Sequence, residues 1–367
     1  MDSAGSESNL THLLRDRIAA GGPITFAEFM DAALYDPEHG YYTRSTGAPD
    51  DYFTSVSAHP VFGAMLANHL DDLWHALGRP DPFHVIELGA GDGRLAGHIR
   101  AAAAEFPWGA TLDYTGVEVS PARRSSSSAG TRMVASIEAV GTFAAAAVLS
   151  NEYFDALPFH LLRRDGYTWV EERVDITGDG FTYVGAPPGP AALAYAEQYG
   201  TALPDGGRLE ARLGLRDLYS ELTAIAPRIA ITTIDYGGPT ETVHGERMKA
   251  GTALAYREHQ AGEDLLANPG QRDLTAHVNF TALIDAGRAS GLEALPLVQQ
   301  VEFLTALGIG AYLPHLQSVP GVTPERYERE RNAILQLLDP VEMGRFHILL
   351  QHRGFDPARL RRFNLSP

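Results

Sequence analysis

Residues 83–94 read Phe-His-Val-Ile-Glu-Leu-Gly-Ala-Gly-Asp-Gly-Arg, and the fold turns on this stretch. Phe83 to Leu88 is a short apolar run ending in glycines, and residues 95–104 follow with helix-forming side chains. A strand that breaks into a glycine loop and opens a helix lets backbone approach a ligand and offers unpaired helix N–H groups. Working outward, residues 112–119, 132–135, 145–150 and 228–235 recur as short runs separated by helix- or loop-like pieces. That alternation is the pattern of a parallel sheet with crossover helices, an α/β fold.

The chain has 367 residues, enough for one large decorated domain or two modest ones, and 44% of them are hydrophobic. Its formal net charge is −17. A surface that acidic repels phosphate backbones and anionic lipid, so neither nucleic acid nor a membrane is an expected partner. There is no cysteine, hence no disulfide, thiolate metal site or cysteine nucleophile. His-Glu-x-x-His is absent, and no metal is expected. No apolar run approaches the roughly 18 residues of a membrane span. Met1 to Asn9 is polar, without the basic and apolar regions of a signal peptide, so the expected location is cytoplasmic.

The flanks organise around the sheet. The first nine residues read as a loose tail. Thr25 and Glu28 then form a capping box ahead of Phe29, Met30, Ala33 and Leu34, with Ile24 placed as a hydrophobic staple. A longer helix carries Val61, Phe62, Met65, Leu66, Leu70, Leu73, Trp74 and Leu77, and Asp71-Asp72 reads as its solvated face. Residues 1–80 are thus an N-terminal helical region, expected to act as a lid. Residues 81–157 and 228–310 form the core. Residues 158–227 read as a large α+β insertion after the fourth strand that binds substrate: a hairpin around 167–174 and 181–184, a Pro/Gly hinge at 187–190, then two helices. Further strands are expected near 253–257 and 276–280. Residues 311–367 are expected to be C-terminal helices, with Ile334, Leu335, Leu337 and Leu338 on one face and Ile348 to Leu350 on another.

Spacing selects the ligand. A dinucleotide loop wants G-x-G-x-x-G, but here the glycines are Gly89, Gly91 and Gly93, with Arg94 where the third should stand. No phosphate-binding P-loop exists. Glu87, just ahead of the loop, opposes a pyrophosphate and suits a ligand with a cationic amino group and a sulfonium. Glu118 ends the second strand, where a carboxylate can accept both hydroxyls of a ribose. The Glu-Leu-Gly-x-Gly-x-Gly loop with this glutamate resembles the S-adenosylmethionine methyltransferases of the Rossmann-like class. That likeness implies a class I methyltransferase sheet. The fourth strand runs into Ser150-Asn-Glu-Tyr-Phe-Asp-Ala-Leu-Pro158, so Asn151, Glu152 and Asp155 are expected to face the transferred methyl group.

More of the chain resembles the MidA-like family. The likeness is carried by Asp36-Pro-Glu-His-Gly-Tyr-Tyr42, the glycine loop, residues 151–158, Asp235-Tyr-Gly237, Asp273-Leu-Thr-Ala-His-Val-Asn-Phe280 and Met343-Gly344. Two stretches depart from the family pattern: Asp51-Tyr52-Phe53, and Arg123-Arg124 with the serine run behind them. The family's mitochondrial member assists respiratory complex I assembly and dimethylates an arginine of one of its subunits. The resemblance implies a cofactor site of Thr54, Ser55, Glu87, Gly89, Ala90, Gly91, Gly93, Glu118 and Asn151. It also implies S-adenosylmethionine as donor and S-adenosylhomocysteine as product.

The acceptor decides the remaining chemistry. A guanidinium wants paired carboxylates, which Glu152 and Asp155 could supply. An alcohol or phenol wants a general base, for which His277 and His59 are candidates. Tyr41, His59, Tyr153, Asp235 and Tyr236 complete the expected substrate contacts. Three readings follow: a protein-arginine methyltransferase, a small-molecule O- or N-methyltransferase of the same fold, or an assembly chaperone that has lost catalysis. The sequence leaves open whether the chain is a monomer or a homodimer.

Overall fold

The computed structural model describes residues 9–43, 60–127, 130–178, 180–257 and 260–360. It divides into two compact units, one built from Phe53–Tyr153, Arg216–Tyr236 and Ile284–Pro367, the other from Met1–Tyr52, Phe154–Leu215 and Gly237–Leu283.

The first unit holds an eight-stranded sheet. Its strands are β1 (Phe83–Leu88), β2 (Leu112–Val117), β3 (Arg132–Val134), β4 (Ala145–Asn151), β5 (Arg228–Asp235), β6 (Glu293–Ala294), β7 (Val298–Gln299) and β8 (His347–Arg353). The spatial order is β6-β8-β5-β4-β1-β2-β3, with β7 beside β8. Strands β3, β2, β1, β4 and β5 run parallel, and β8 lies antiparallel against β5. The central strands are buried on both faces, from Val85 and Ile86 through Ala145–Leu149 to Ile229–Ile231. That is why they read as continuous apolar runs and not as alternating ones. The order reverses between β1 and β4, which is the place where an open α/β sheet presents a crevice to a ligand. This is the α/β sheet expected from residues 83–94.

Several expectations need correction. Residues 347–353 form a strand, not a helix: Ile348, Leu349 and Leu350 are fully buried in the ladder against β5. A short apolar run looks alike in a buried strand and a buried helix, so periodicity could not separate them. Asp71 and Asp72 are buried, not solvated, and Asp71 pairs with His75 at 3.5 Å. The helix carrying them, Pro60–Ala76, expected within the N-terminal region, packs on Arg94–Ala103 in the sheet unit. Arg123 and Arg124 sit in a short helix, Pro121–Ser126, capped by the Ser120 side chain.

The second unit is mainly antiparallel. Ile24–Thr25, Thr168–Thr177, His160–Asp165 and Arg208–Ala211 form one path, with Gly180–Ala186 paired to Thr168–Thr177. The hairpin expected at 167–184 is present. Arg208–Ala211, which lies between the two expected helices, is a strand the sequence did not suggest. The capping box forms as read: Thr25 accepts from the Glu28 amide and Glu28 from the Thr25 amide, both near 3 Å. An unforeseen helix, Asn9–Gly21, precedes it and buries Leu10, Leu14 and Ile18 in the same cluster as Ile24, Phe26, Phe29 and Met30.

Candidate active site

The β1 loop is shaped by three left-handed glycines. Gly89, Gly91 and Gly93 have φ of +67°, +55° and +76°, a region that costs other residues about 1–2 kcal/mol. A Cβ on Gly89 would stand 3.0 Å from the Tyr153 ring, whereas one on Gly91 would meet no atom of the described residues within 4 Å. The Ala90 amide donates to the Val117 carbonyl at 3.1 Å, which ties the loop to the end of β2. The Asp92 side chain accepts the Arg94 amide at 3.0 Å at the start of the following helix.

Glu118 organises this cradle. It is only 6% exposed, and its two carboxylate oxygens accept the amides of Gly91 at 2.9 Å and Ser120 at 2.8 Å. Each oxygen keeps further acceptor capacity, so the group can also receive a ligand hydroxyl. Glu87 lies beneath the loop, buried, and accepts the Tyr114 hydroxyl at 2.8 Å. Burial pushes its carboxyl up to about 8; the Tyr114 bond opposes this, and the nearby charges of Asp92 and Glu118 add to it. Near neutral pH Glu87 thus holds a proton that an approaching cation could displace.

The β4 end supplies the next side chains. The Glu152 amide donates to the Ile234 carbonyl at 2.9 Å, extending the β4–β5 pairing by one step. Glu152 itself has φ +50°, an unusual backbone state for a charged residue that marks a strained turn. Its carboxylate accepts the Asn151 side-chain Nδ2 at 3.0 Å, while the Asn151 Oδ1 is buried without a hydrogen-bond partner among the described residues. Tyr153 lies against Gly89, and burial pushes its phenol up to about 12. Since Leu88 pairs with Ser150, the glycine loop and Asn151–Glu152 leave neighbouring strands at the same edge. Asp235 ends β5 and Tyr236 follows it; both are buried, Asp235 accepts the Tyr236 amide, and Tyr236 packs on Phe346.

Other expected residues fall in the second unit. The Asp155 carboxylate accepts the Thr275 hydroxyl at 2.8 Å, so Glu152 and Asp155 belong to different units despite their spacing. His277 lies in a two-residue break between the strands Asp273–Thr275 and Val278–Asn279, not inside a strand; its amide donates to Thr252 at 3.1 Å. Tyr41 is a core residue of the N-terminal cluster, and the neighbouring Tyr42 hydroxyl donates to Asp273 at 2.7 Å. Thr54, Ser55 and His59 lie outside the described residues. Sequence reasoning missed Tyr114 and Ser120. Ser120 could have been found as the cap that follows the Glu118 strand end, but Tyr114 leaves no local signal.

The donor set fits the methionyl nucleoside expected from the sequence. It combines a left-handed glycine loop, a buried carboxylate at Glu118 with spare acceptor capacity, and an Asn151 side-chain oxygen that is buried without a partner among the described residues. Among the described residues no cluster of three or more His, Asp or Glu is placed to hold a metal ion, and no helix is long and apolar enough to cross a membrane.

Comparisons with known proteins agree with this geometry. A family model for S-adenosyl-L-methionine-dependent methyltransferases matches residues 65–298. A Burkholderia thailandensis protein solved bound to S-adenosyl-homocysteine superposes with a TM-score of 0.85 at 28% identity, covering 97% of this chain and 95% of that one. The protein arginine methyltransferase NDUFAF7 homolog, mitochondrial, of Drosophila melanogaster is 30% identical over 97% of this chain and 87% of its own length. The human protein arginine methyltransferase NDUFAF7, mitochondrial, is 28% identical over 97% of this chain and 87% of its own. The mitochondrial names of these relatives overturn the expected cytoplasmic location. An acidic, polar first stretch was too weak a ground for that assignment. With its loop, its sheet and its relatives in accord, the chain belongs to the S-adenosyl-L-methionine-dependent methyltransferase family.

Proposed function

We propose that this methyltransferase modifies an arginine side chain of a protein. The observation that carries the reading is the Glu152 carboxylate, held in a left-handed turn at the edge from which the glycine loop also departs. A carboxylate there can take a guanidinium through two parallel hydrogen bonds and draw its positive charge toward one end, leaving the far nitrogen more nucleophilic. The arginine methyltransferase names of the relatives support the same acceptor.

In this reading Gly89, Ala90, Gly91 and Gly93 hold the amino-acid part of the donor, Glu118 its ribose, and Asn151 a polar group through its buried oxygen. Glu87 gives up its proton as the donor's ammonium arrives. S-adenosylmethionine supplies, when bound, an electrophilic methyl group: the acceptor nitrogen's lone pair forms the new bond as the carbon–sulfur pair returns to sulfur, and the nitrogen sheds a proton. Glu152 would hold the near end of the guanidinium, and the proton of the far nitrogen would leave to water. Alignment is the protein's main contribution, worth on the order of 7–11 kcal/mol of barrier in well-oriented systems.

The test is to offer methyl-labelled S-adenosylmethionine to a cell lysate with the purified enzyme and to hydrolyse the labelled polypeptide. Label in methylarginine supports the reading; label confined to a small-molecule fraction overturns it.

A further inference from the structure

The chain has six methionines and no cysteine, so thioethers are its only oxidisable sulfur. Among the described residues Met30, Met65 and Met343 are buried, while Met133 and Met248 are partly exposed. Met248 belongs to the antiparallel unit. Met133 belongs to the sheet unit, on β3, directly opposite Gly116 of β2. A Cβ on Gly116 would fall 2.6 Å from the Met133 Sδ, 3.1 Å from its Cε and 2.7 Å from the Ala90 Cβ. The missing side chain at 116 thus leaves a place on which the Met133 thioether and the Ala90 methyl group converge. Ala90 stands between Gly89 and Gly91 in the loop and is only 5% exposed. Its amide donates to the Val117 carbonyl at 3.1 Å, and the next amide, of Gly91, donates to the Glu118 carboxylate at 2.9 Å. The methionine sulfur therefore shares one packing site with the residue that ties the loop to β2, in a side chain that solvent still reaches.

We propose that Met133 is a redox modification site: a hydroperoxide converts its thioether to the sulfoxide, and the altered side chain unseats the glycine loop and weakens cofactor binding. The inference rests on the reading above, in which Gly89 to Gly93 hold the donor. In the modification a sulfur lone pair attacks one peroxide oxygen. The sulfur–oxygen bond forms as the oxygen–oxygen bond breaks, and a proton shift releases water when the oxidant is hydrogen peroxide. Sulfur loses two electrons and the peroxide gains them. The product is polar where the thioether was apolar, and it carries a strong acceptor oxygen. The amides of Ala90 and Gly91 already donate elsewhere. The new oxygen therefore either turns to solvent, which takes the sulfur away from Ala90, or competes for those amides. Both outcomes loosen the loop. With no thiol in the chain, no cysteine diverts the oxidant, and sulfoxide reductases can reverse the change.

The experiment treats the purified enzyme with graded hydrogen peroxide, maps sulfoxides by peptide mass spectrometry and measures S-adenosylmethionine affinity by calorimetry. The proteins are wild type, Met133→Leu, Met248→Leu and Gly91→Ala. Leucine keeps nearly the volume of methionine, so untreated Met133→Leu should bind the cofactor within about threefold of wild type. Peroxide should lower wild-type affinity about tenfold, the scale of one lost hydrogen-bonded tie, in proportion to sulfoxide at Met133. Met248→Leu should lose affinity as the wild type does, and Met133→Leu should keep its own. Methionine sulfoxide reductases with dithiothreitol should restore the oxidised wild type. Wild-type affinity that survives full sulfoxidation of Met133 overturns the inference. So does an equal loss in Met133→Leu, or a Met133 that stays unmodified while Met248 is oxidised. If untreated Met133→Leu binds poorly, the reductase treatment decides: affinity that returns as the Met133 sulfoxide disappears supports the site, and affinity that stays low overturns it. Untreated Gly91→Ala separates the two claims. Normal binding by that variant removes the loop reading and the inference with it; weak binding beside a peroxide-resistant wild type removes the inference alone.

Discussion

The carboxylate of Glu118 accepts the backbone amide of Gly91 at 2.9 Å, joining a strand end to a loop tip 27 residues earlier in the chain. The same carboxylate accepts the Ser120 amide at 2.8 Å, so one side chain satisfies two amides while facing the crevice. Glu118→Ala should therefore weaken two properties together. Leaving two amides without their acceptor costs about 1–3 kcal/mol each where they are buried, and the cofactor loses a ribose partner. Denaturant melts and calorimetry with S-adenosylmethionine check this. Unchanged affinity in the variant would remove Glu118 from the cofactor site.

Gly91→Ala separates folding from binding. Its Cβ meets no atom of the described residues within 4 Å, so the expected cost to the fold is the strain of a left-handed alanine, about 1–2 kcal/mol. The methyl group would occupy the space the cofactor needs, and affinity should fall at least tenfold. A variant that binds S-adenosylmethionine as tightly as wild type would place the ligand elsewhere.

Glu87 predicts a pH dependence of stability in the cofactor-free protein. Its carboxyl titrates near 8 in the folded chain against an ordinary 4.5, so the folded state keeps a proton that the unfolded state releases. Stability from this group is full below about 4.5 and is lost as pH rises toward 8, at up to ~1.4 kcal/mol per pH unit. Glu87→Gln should match wild type at pH 5 and be the more stable protein at pH 8.5, while binding S-adenosylmethionine less well. Parallel urea stability curves for the two proteins across that range would show that Glu87 is ionised throughout.

Glu152→Gln tests the acceptor chemistry. It keeps the side-chain volume and removes the charge that orients a guanidinium. The expected outcome is cofactor affinity within a few-fold of wild type and a loss of about 2–4 kcal/mol in transition-state stabilisation, read from kcat/KM. Normal turnover in this variant would shift the acceptor assignment away from the β4 end.

A packing prediction concerns β8. A Cβ on Gly287 would fall 1.9 Å from Gln351 Nε2, in a place where Gln351 also receives the Tyr219 hydroxyl. Gly287→Ala should destabilise the sheet unit by about 1–3 kcal/mol through overpacking. Chemical denaturation gives the value, and adding Gln351→Ala should recover little, because Tyr219 then loses its buried partner.

The sequence by itself determined the glycine loop, its strand and helix, the parallel core strands and the carboxylate at 118, because each of these is a local requirement. Left-handed turns need glycine, buried parallel strands need unbroken apolar runs, and a capping box needs its two residues at fixed spacing. Only the tertiary structure decided that residues 347–353 pair as a strand with β5 and that Asp71 and Asp72 are buried. It also decided that Glu152 and Asp155 part into separate units and that Arg212 meets Asp155 and His277 across distant stretches of chain. Those outcomes depend on which surfaces cover one another and on hydrogen bonds between remote segments, and neither is encoded in the spacing of neighbouring residues.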